Sequence, residues 1–88
     1  MANIKSAEKR IRQSATRNAR NRSRRSEMRG AVRRVRAAVE AGDKGKAEEL
    51  LAVTISLVDS TAQKGVVHQN AAARTKSRLT RAVSKMSS

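Results

Sequence analysis

Residues 28–45 read MRGAVRRVRAAVEAGDKG, and this stretch decides the fold. Met28, Val32, Val35 and Val39 recur at spacings of 4, 3 and 4, which puts them on one face of a helix. The pattern stops at Gly42-Asp43-Lys44-Gly45. Gly42 suits the left-handed position just past a helix end. Asp43 suits the N-cap of a helix that follows.

Toward the C-terminus the same spacing returns. Ala47, Leu51, Thr54 and Val58 form a second stripe, widened by Leu50, Val53 and Leu57. Gly65 closes that helix. Ala72, Leu79, Val83 and Met86 share one face of a third, with His68 or Asn70 as its N-cap. Val66 and Val67 are expected to plug the end of the bundle between them. With no Pro and many Ala, Arg, Lys and Glu, helix is the natural state between the breaks. The helices are expected over about residues 6–41, 44–64 and 68–86. Ser6 is placed as cap of the first, with Glu8 in its first turn facing the positive end of the helix dipole. Gly30 is a weak spot inside it. The fold expected is all-α, an antiparallel three-helix bundle with a long, projecting N-terminal basic helix, in one domain over 1–88.

The projection follows from the N-terminal side of the opening stretch. Between Ser6 and Glu27 the only apolar residues are Ala7, Ile11, Ala15 and Ala19. Lys9, Arg10, Arg12, Arg17, Arg20, Arg22, Arg24 and Arg25 are read as occupying all sides around them. Such a helix is not held by a protein core. Like charges three and four residues apart repel, so this half is expected to fray alone and to order on a polyanion.

Composition narrows the function. The chain has 88 residues, 21 Lys or Arg against 7 Asp or Glu, a formal net charge of +14, and no Cys, Pro, Phe, Trp or Tyr. Without Cys there is neither a disulfide nor a Cys-rich zinc site, and one His cannot anchor an ordinary metal site. The core is thin: 15 of the apolar residues are Ala. No apolar run approaches a membrane span, and the N-terminus has no signal-peptide character, so a cytoplasmic location is expected. The charge is uneven. Residues 1–36 hold 13 basic and 2 acidic side chains, residues 37–65 hold 3 and 5, and residues 66–88 hold 5 and none. A field of this kind attracts polyanions.

No catalytic constellation is present. His68 stands alone, the carboxylates are scattered, and there is no phosphate-binding glycine loop. The chain is read as a non-enzyme without cofactor or metal. The signal is the basic helix. Arg17, Arg20 and Arg24 are spaced 3 and 4, as are Arg22, Arg25 and Arg29, and each trio makes one stripe. Of the basic residues 14 are Arg, whose planar fork grips phosphate oxygens in pairs. Asn18, Asn21, Ser23 and Ser26 lie among them. Arg12 belongs to the same cationic run, and Arg74, Arg78, Arg81 and Lys85 form a second stripe on the third helix, where Lys76 adds charge. Without aromatics the chain cannot stack bases, so backbone contact with folded nucleic acid is left. DNA is the alternative, as a histone-like or basic-helix protein, but the heptads a zipper needs stop at Gly42. A membrane-active helix would need an apolar face that Ser6–Glu27 lacks.

The residues also resemble a known family. Ala2-Asn3-Ile4-Lys5-Ser6-Ala7, Ser23-Arg24-Arg25-Ser26 and Ala41-Gly42-Asp43-Lys44 occur in this order in the family of the twentieth protein of the bacterial small ribosomal subunit. Lys64-Gly65, His68, Asn70, Ala72-Ala73-Arg74, Lys76 and Leu79-Thr80 complete the pattern, which covers the whole chain. The resemblance implies a three-helix bundle on the ribosome. It implies direct binding to 16S ribosomal RNA as a monomer within the ribosome, with few or no stable protein partners and no membrane. It implies help in holding RNA segments of different domains together. Lys5, Ser6, Lys9, Arg10, Arg24, Arg25, His68, Asn70, Arg74 and Lys76 fall on its motif positions and inherit an RNA-facing role. Arg17, Arg20 and Arg22 are added from helical spacing. Glu8 departs from the commonly basic residue there, which favours the dipole role. Arg24 and Arg25 both lie off the apolar stripes, so charge reversal at both is expected to remove RNA binding and leave the bundle folded.

Overall fold

The computed structural model describes residues 2–86. It contains α1 (Ala2–Glu40), α2 (Lys44–Gln63) and α3 (Gln69–Ser84), and no strand among the described residues. The turn read from the opening stretch closes α1 as a Schellman motif. Gly42 has φ +76°, its N–H donates to the Val39 carbonyl at 3.1 Å, and the Asp43 N–H donates to the Ala38 carbonyl at 3.1 Å. The Asp43 carboxylate then caps α2 by accepting from the Lys46 N–H at 3.2 Å. The same device ends α2. Gly65 has φ +77°, with its N–H on the Ala62 carbonyl and the Val66 N–H on the Thr61 carbonyl.

The start of α1 corrects the sequence reading. The helix already runs from Ala2, so Ser6 is not its cap and Glu8 lies beyond its first turn. Nothing between Ala2 and Ser6 breaks a helix, since the segment has neither Gly nor Pro. Gly30 does not interrupt it either.

α2 folds back along α1. The buried Thr54 hydroxyl donates to the Ala31 carbonyl across the pair at 3.4 Å, and Ala38 and Ala47 share one core cluster. Val35, Leu79 and Val83 complete that cluster, with Val32, Val39, Leu50, Leu51 and Met86 packed on its rim. Ala31, Val58, Ala72, Thr54 and Thr61 are also buried. The Thr61 hydroxyl is satisfied within its own helix, by the Leu57 carbonyl at 2.7 Å. Alanines at the contacts let the helices approach closely, which is how so few large side chains close a core. Val66 and Val67 are half-buried at the α2–α3 connection. Val53 departs from its expected place. It is 66% exposed, because its direction on α2 lies roughly 100° from that of Thr54.

The register fixes where the bundle stops. With Thr54 opposite Ala31, the last residue of α2 reaches about residue 22 of α1. Every residue from Lys5 to Arg20 is exposed. The molecule measures 67 × 21 × 14 Å, most of its length being this one helix.

Candidate nucleic-acid interface

The projecting half of α1 is not cationic on all sides. Successive residues on a helix turn by about 100°. Lys5, Lys9, Arg10, Arg12, Arg17 and Arg20 then fall within about half the circumference. Lys9, Arg12, Gln13, Thr16, Arg17 and Arg20 line one shallow surface groove. Within it the Thr16 hydroxyl donates to the Arg12 carbonyl at 3.0 Å. The opposite side holds Ala7, Ile11, Ser14, Ala15 and Asn18, without a cation. The reading of charge all round came from pooling residues 6–27, and the cations change sides near Asn21.

The two arginine trios mark that change. Arg17, Arg20 and Arg24 point to the side of α1 that, further on, buries Ala31, Val35 and Ala38. This side of the projecting helix therefore faces the same way as α2 and α3, and forms an inner corner with the bundle. Arg24 and Asn21 are half-buried there, level with Thr61 of α2. So Arg24, expected to be free of the bundle, is partly covered by it. Arg22, Arg25 and Arg29 are exposed on the outer side, away from the core. The Arg25 side chain folds back to donate from Nε to the Asn21 carbonyl at 3.4 Å.

Arg33 and Arg36 extend the outer stripe, both exposed. The sequence reading passed over them because they lie between the valines of the apolar pattern. Their spacing of 4 and 3 after Arg29 is the signal that finds them. Arg36 and Arg78 border one groove between α1 and α3, so the outer stripe meets the basic face of α3. Arg74, Arg78, Arg81 and Lys85 are exposed on that face, opposite the buried Ala72, Leu79 and Val83. Lys76 is apart from them. It is half-buried beside α2, its Nζ 2.6 Å from Asp59 Oδ1.

His68 is the N-cap of α3. Its Nδ1 accepts from the Asn70 N–H at 3.1 Å. With Nδ1 accepting this bond, Nε2 is left as the ring's donor. Asn70 stands exposed in the first turn beside free backbone N–H groups. Lys5, Ser6, Lys9, Arg10, Arg12, Arg17 and Arg20 are all exposed on the projecting half.

Among the described residues no group of three or more His, Cys, Asp or Glu is placed to hold a metal, and no helix is long and apolar enough to cross a membrane. The described residues thus form a small bundle with half of its first helix projecting beyond it, and they carry opposed cationic stripes and shallow grooves. Comparison with known proteins goes further. The family model of ribosomal protein S20 matches residues 2–84, and the chain belongs to that family. The chain is 51% identical over 86 residues to small ribosomal subunit protein bS20 of Nitrosomonas europaea, covering 98% of this chain and 99% of that one. The protein of the same name from Mycolicibacterium vanbaalenii is 55% identical, covering 98% and 100%. That from Burkholderia cenocepacia is 51% identical over 83 residues, covering 94% and 92%. The family is one of ribosomal proteins, not of enzymes.

Proposed function

We propose that this chain is a structural constituent of the small ribosomal subunit that binds 16S ribosomal RNA directly and stabilises its folding and assembly. It acts in the cytoplasm as a monomer within the ribosome, with few or no stable protein partners. The observation that carries the reading is the projecting half of α1. Residues 5–20 are exposed throughout and hold six cations on one side, beyond the level at which α2 ends. A helix so built gains its partner from outside the chain, and its charge selects a polyanion.

Folded RNA fits better than the alternatives. Without aromatic residues the contacts are to phosphate and ribose, which recognise shape. The inner corner takes one RNA segment on Lys9, Arg12, Arg17 and Arg20, beside His68 and Asn70. The outer stripe of Arg22, Arg25 and Arg29, continued by Arg74 and Arg78, takes a second. A basic zipper on DNA is disfavoured, because the stripe that would dimerise buries Ala31, Val35 and Ala38 within its own bundle.

The test is a titration of a 16S ribosomal RNA transcript and of duplex DNA over a range of salt, with sedimentation of the tagged chain in cells. The chain is expected to travel with the small subunit, to prefer the RNA, and to lose affinity steeply with salt as counterions are released. A flat salt response or equal binding to duplex DNA rejects the reading.

A further inference from the structure

Ile11 is 68% exposed in the middle of the cation-free side of the projecting helix. Ala7 and Ala15 flank it, one helical turn to either side. No part of the bundle reaches it. Eighteen residues make five full turns, so Arg29 lies in the same direction from the axis as Ile11. Arg22 and Arg25 lie within about 40° of that direction. One side of α1 is therefore apolar at Ile11 and becomes cationic about 16 Å further along, at Arg22. A polyanion resting on Arg22, Arg25 and Arg29 and following the helix passes over Ile11.

The chemistry at Ile11 selects which part of that polyanion arrives. There is no cation on this side to receive a phosphate. Glu8 stands at its edge and is exposed, and a carboxylate repels phosphate but accepts from a hydroxyl. Ser14 and Asn18, also exposed on this side, bond hydroxyls equally well. The minor groove of an A-form helix is wide and shallow, and it displays ribose carbons and 2′-hydroxyls. A branched side chain between two alanines can lie flat on that surface.

We infer that Ile11, with Ala7 and Ala15 beside it, is a non-ionic contact to the ribose edge of an RNA minor groove, positioning the N-terminal end of α1 on the same RNA segment that the outer arginine stripe holds. The inference rests on the RNA-binding reading above and adds a contact that charge does not account for.

Salt separates the two. The full chain, Ile11→Ala, Ile11→Lys and Arg22→Ala are each titrated against a 16S ribosomal RNA transcript at several salt concentrations. Ile11→Ala is expected to weaken binding roughly three- to tenfold at every salt, with the slope unchanged, because apolar burial releases no counterion. Alanine is the stronger helix former, so the loss cannot come from a weakened helix. Arg22→Ala is expected to make the slope shallower by about one. Ile11→Lys is expected to weaken binding despite its added charge. The inference is overturned if Ile11→Ala binds like the unaltered chain, or if Ile11→Lys binds more tightly with a steeper slope, which would put phosphate over this side. A flat salt response of the unaltered chain would overturn the RNA reading itself.

Discussion

The two halves of α1 are one continuous helix with two different reasons to exist. From Met28 to Glu40 it is held by protein: Ala31, Val35 and Ala38 are buried against α2 and α3. From Lys5 to Arg20 every residue is exposed, and the backbone ladder is what holds the helix together. Backbone bonds alone leave a segment of this length marginal in water. The bundle half is thus stabilised by what the chain contains, and the projecting half, on the function proposed above, by the RNA it meets. The difference can be broken experimentally, because a change in one half should leave the property of the other untouched.

The largest effect is expected in the bundle. Leu79 is 1% exposed and sits among Val35, Ala38, Ala47 and Val83. Leu79→Ala should cost about 2–5 kcal/mol, much of the stability of so small a core. Thermal melting followed by circular dichroism should show the cooperative transition lost or shifted far down. A residual helical signal that melts without a transition, and rises when RNA is added, would belong to the projecting half. If Leu79→Ala melted like the unaltered chain, this core would not be what holds α3 in place.

Arg24 and Arg25 test the boundary between the halves. Being neighbours, they point about 100° apart, Arg24 toward the bundle and Arg25 away from it. Arg25→Glu should weaken 16S RNA binding with the melting temperature unchanged. Arg24→Glu should also lower the melting temperature, because the half-buried stem beside α2 must be repacked. The two acting alike in both measurements would mean that the inner corner is not closed by α2 at this level.

That pair also shows what the sequence could carry. The turn at Gly42-Asp43 and the stripes through Val35, Thr54 and Leu79 were legible, because each is a local pattern with one geometric solution. The cap of α3 was narrowed only to His68 or Asn70, and the bond from the Asn70 N–H to His68 Nδ1 decides it. The start of α1 was not legible. A Ser followed by an acid reads as a cap, but Ser6 is capable of capping only if the chain before it is not helical, and nothing there prevents helix. The alternation of charge between the sides of α1 was present in the residue spacing, yet pooling Ser6–Glu27 averaged it away. The ion pair of Lys76 with Asp59 was beyond local reading, since it depends on how α2 and α3 are rotated against each other. Val53 was misread for the opposite reason: an apolar residue was added to a stripe that the other positions on α2 had already filled.

The smallest effects sharpen the comparison most, because they use one kind of substitution at two places. Gly30 lies in the bundle half, and a Cβ built there would meet only the Arg34 Nη2 atom, at 3.4 Å. The end of an arginine moves aside at little cost, so Gly30→Ala gains the helix propensity of alanine without strain. It should raise bundle stability by about 0.5–1 kcal/mol, read as a higher melting midpoint. Ala15→Gly makes the reverse change in the projecting half, where the side chain is exposed. It should remove up to about 1 kcal/mol of local helix stability. Since that segment is exposed and lies beyond the end of α2, the midpoint should stay where it was. The loss should appear only as less helix in the free chain, and as weaker RNA binding, because the RNA must then order a looser segment. A lower midpoint for Ala15→Gly would mean that the projecting half and the bundle melt as one unit, and that α1 is a single cooperative rod.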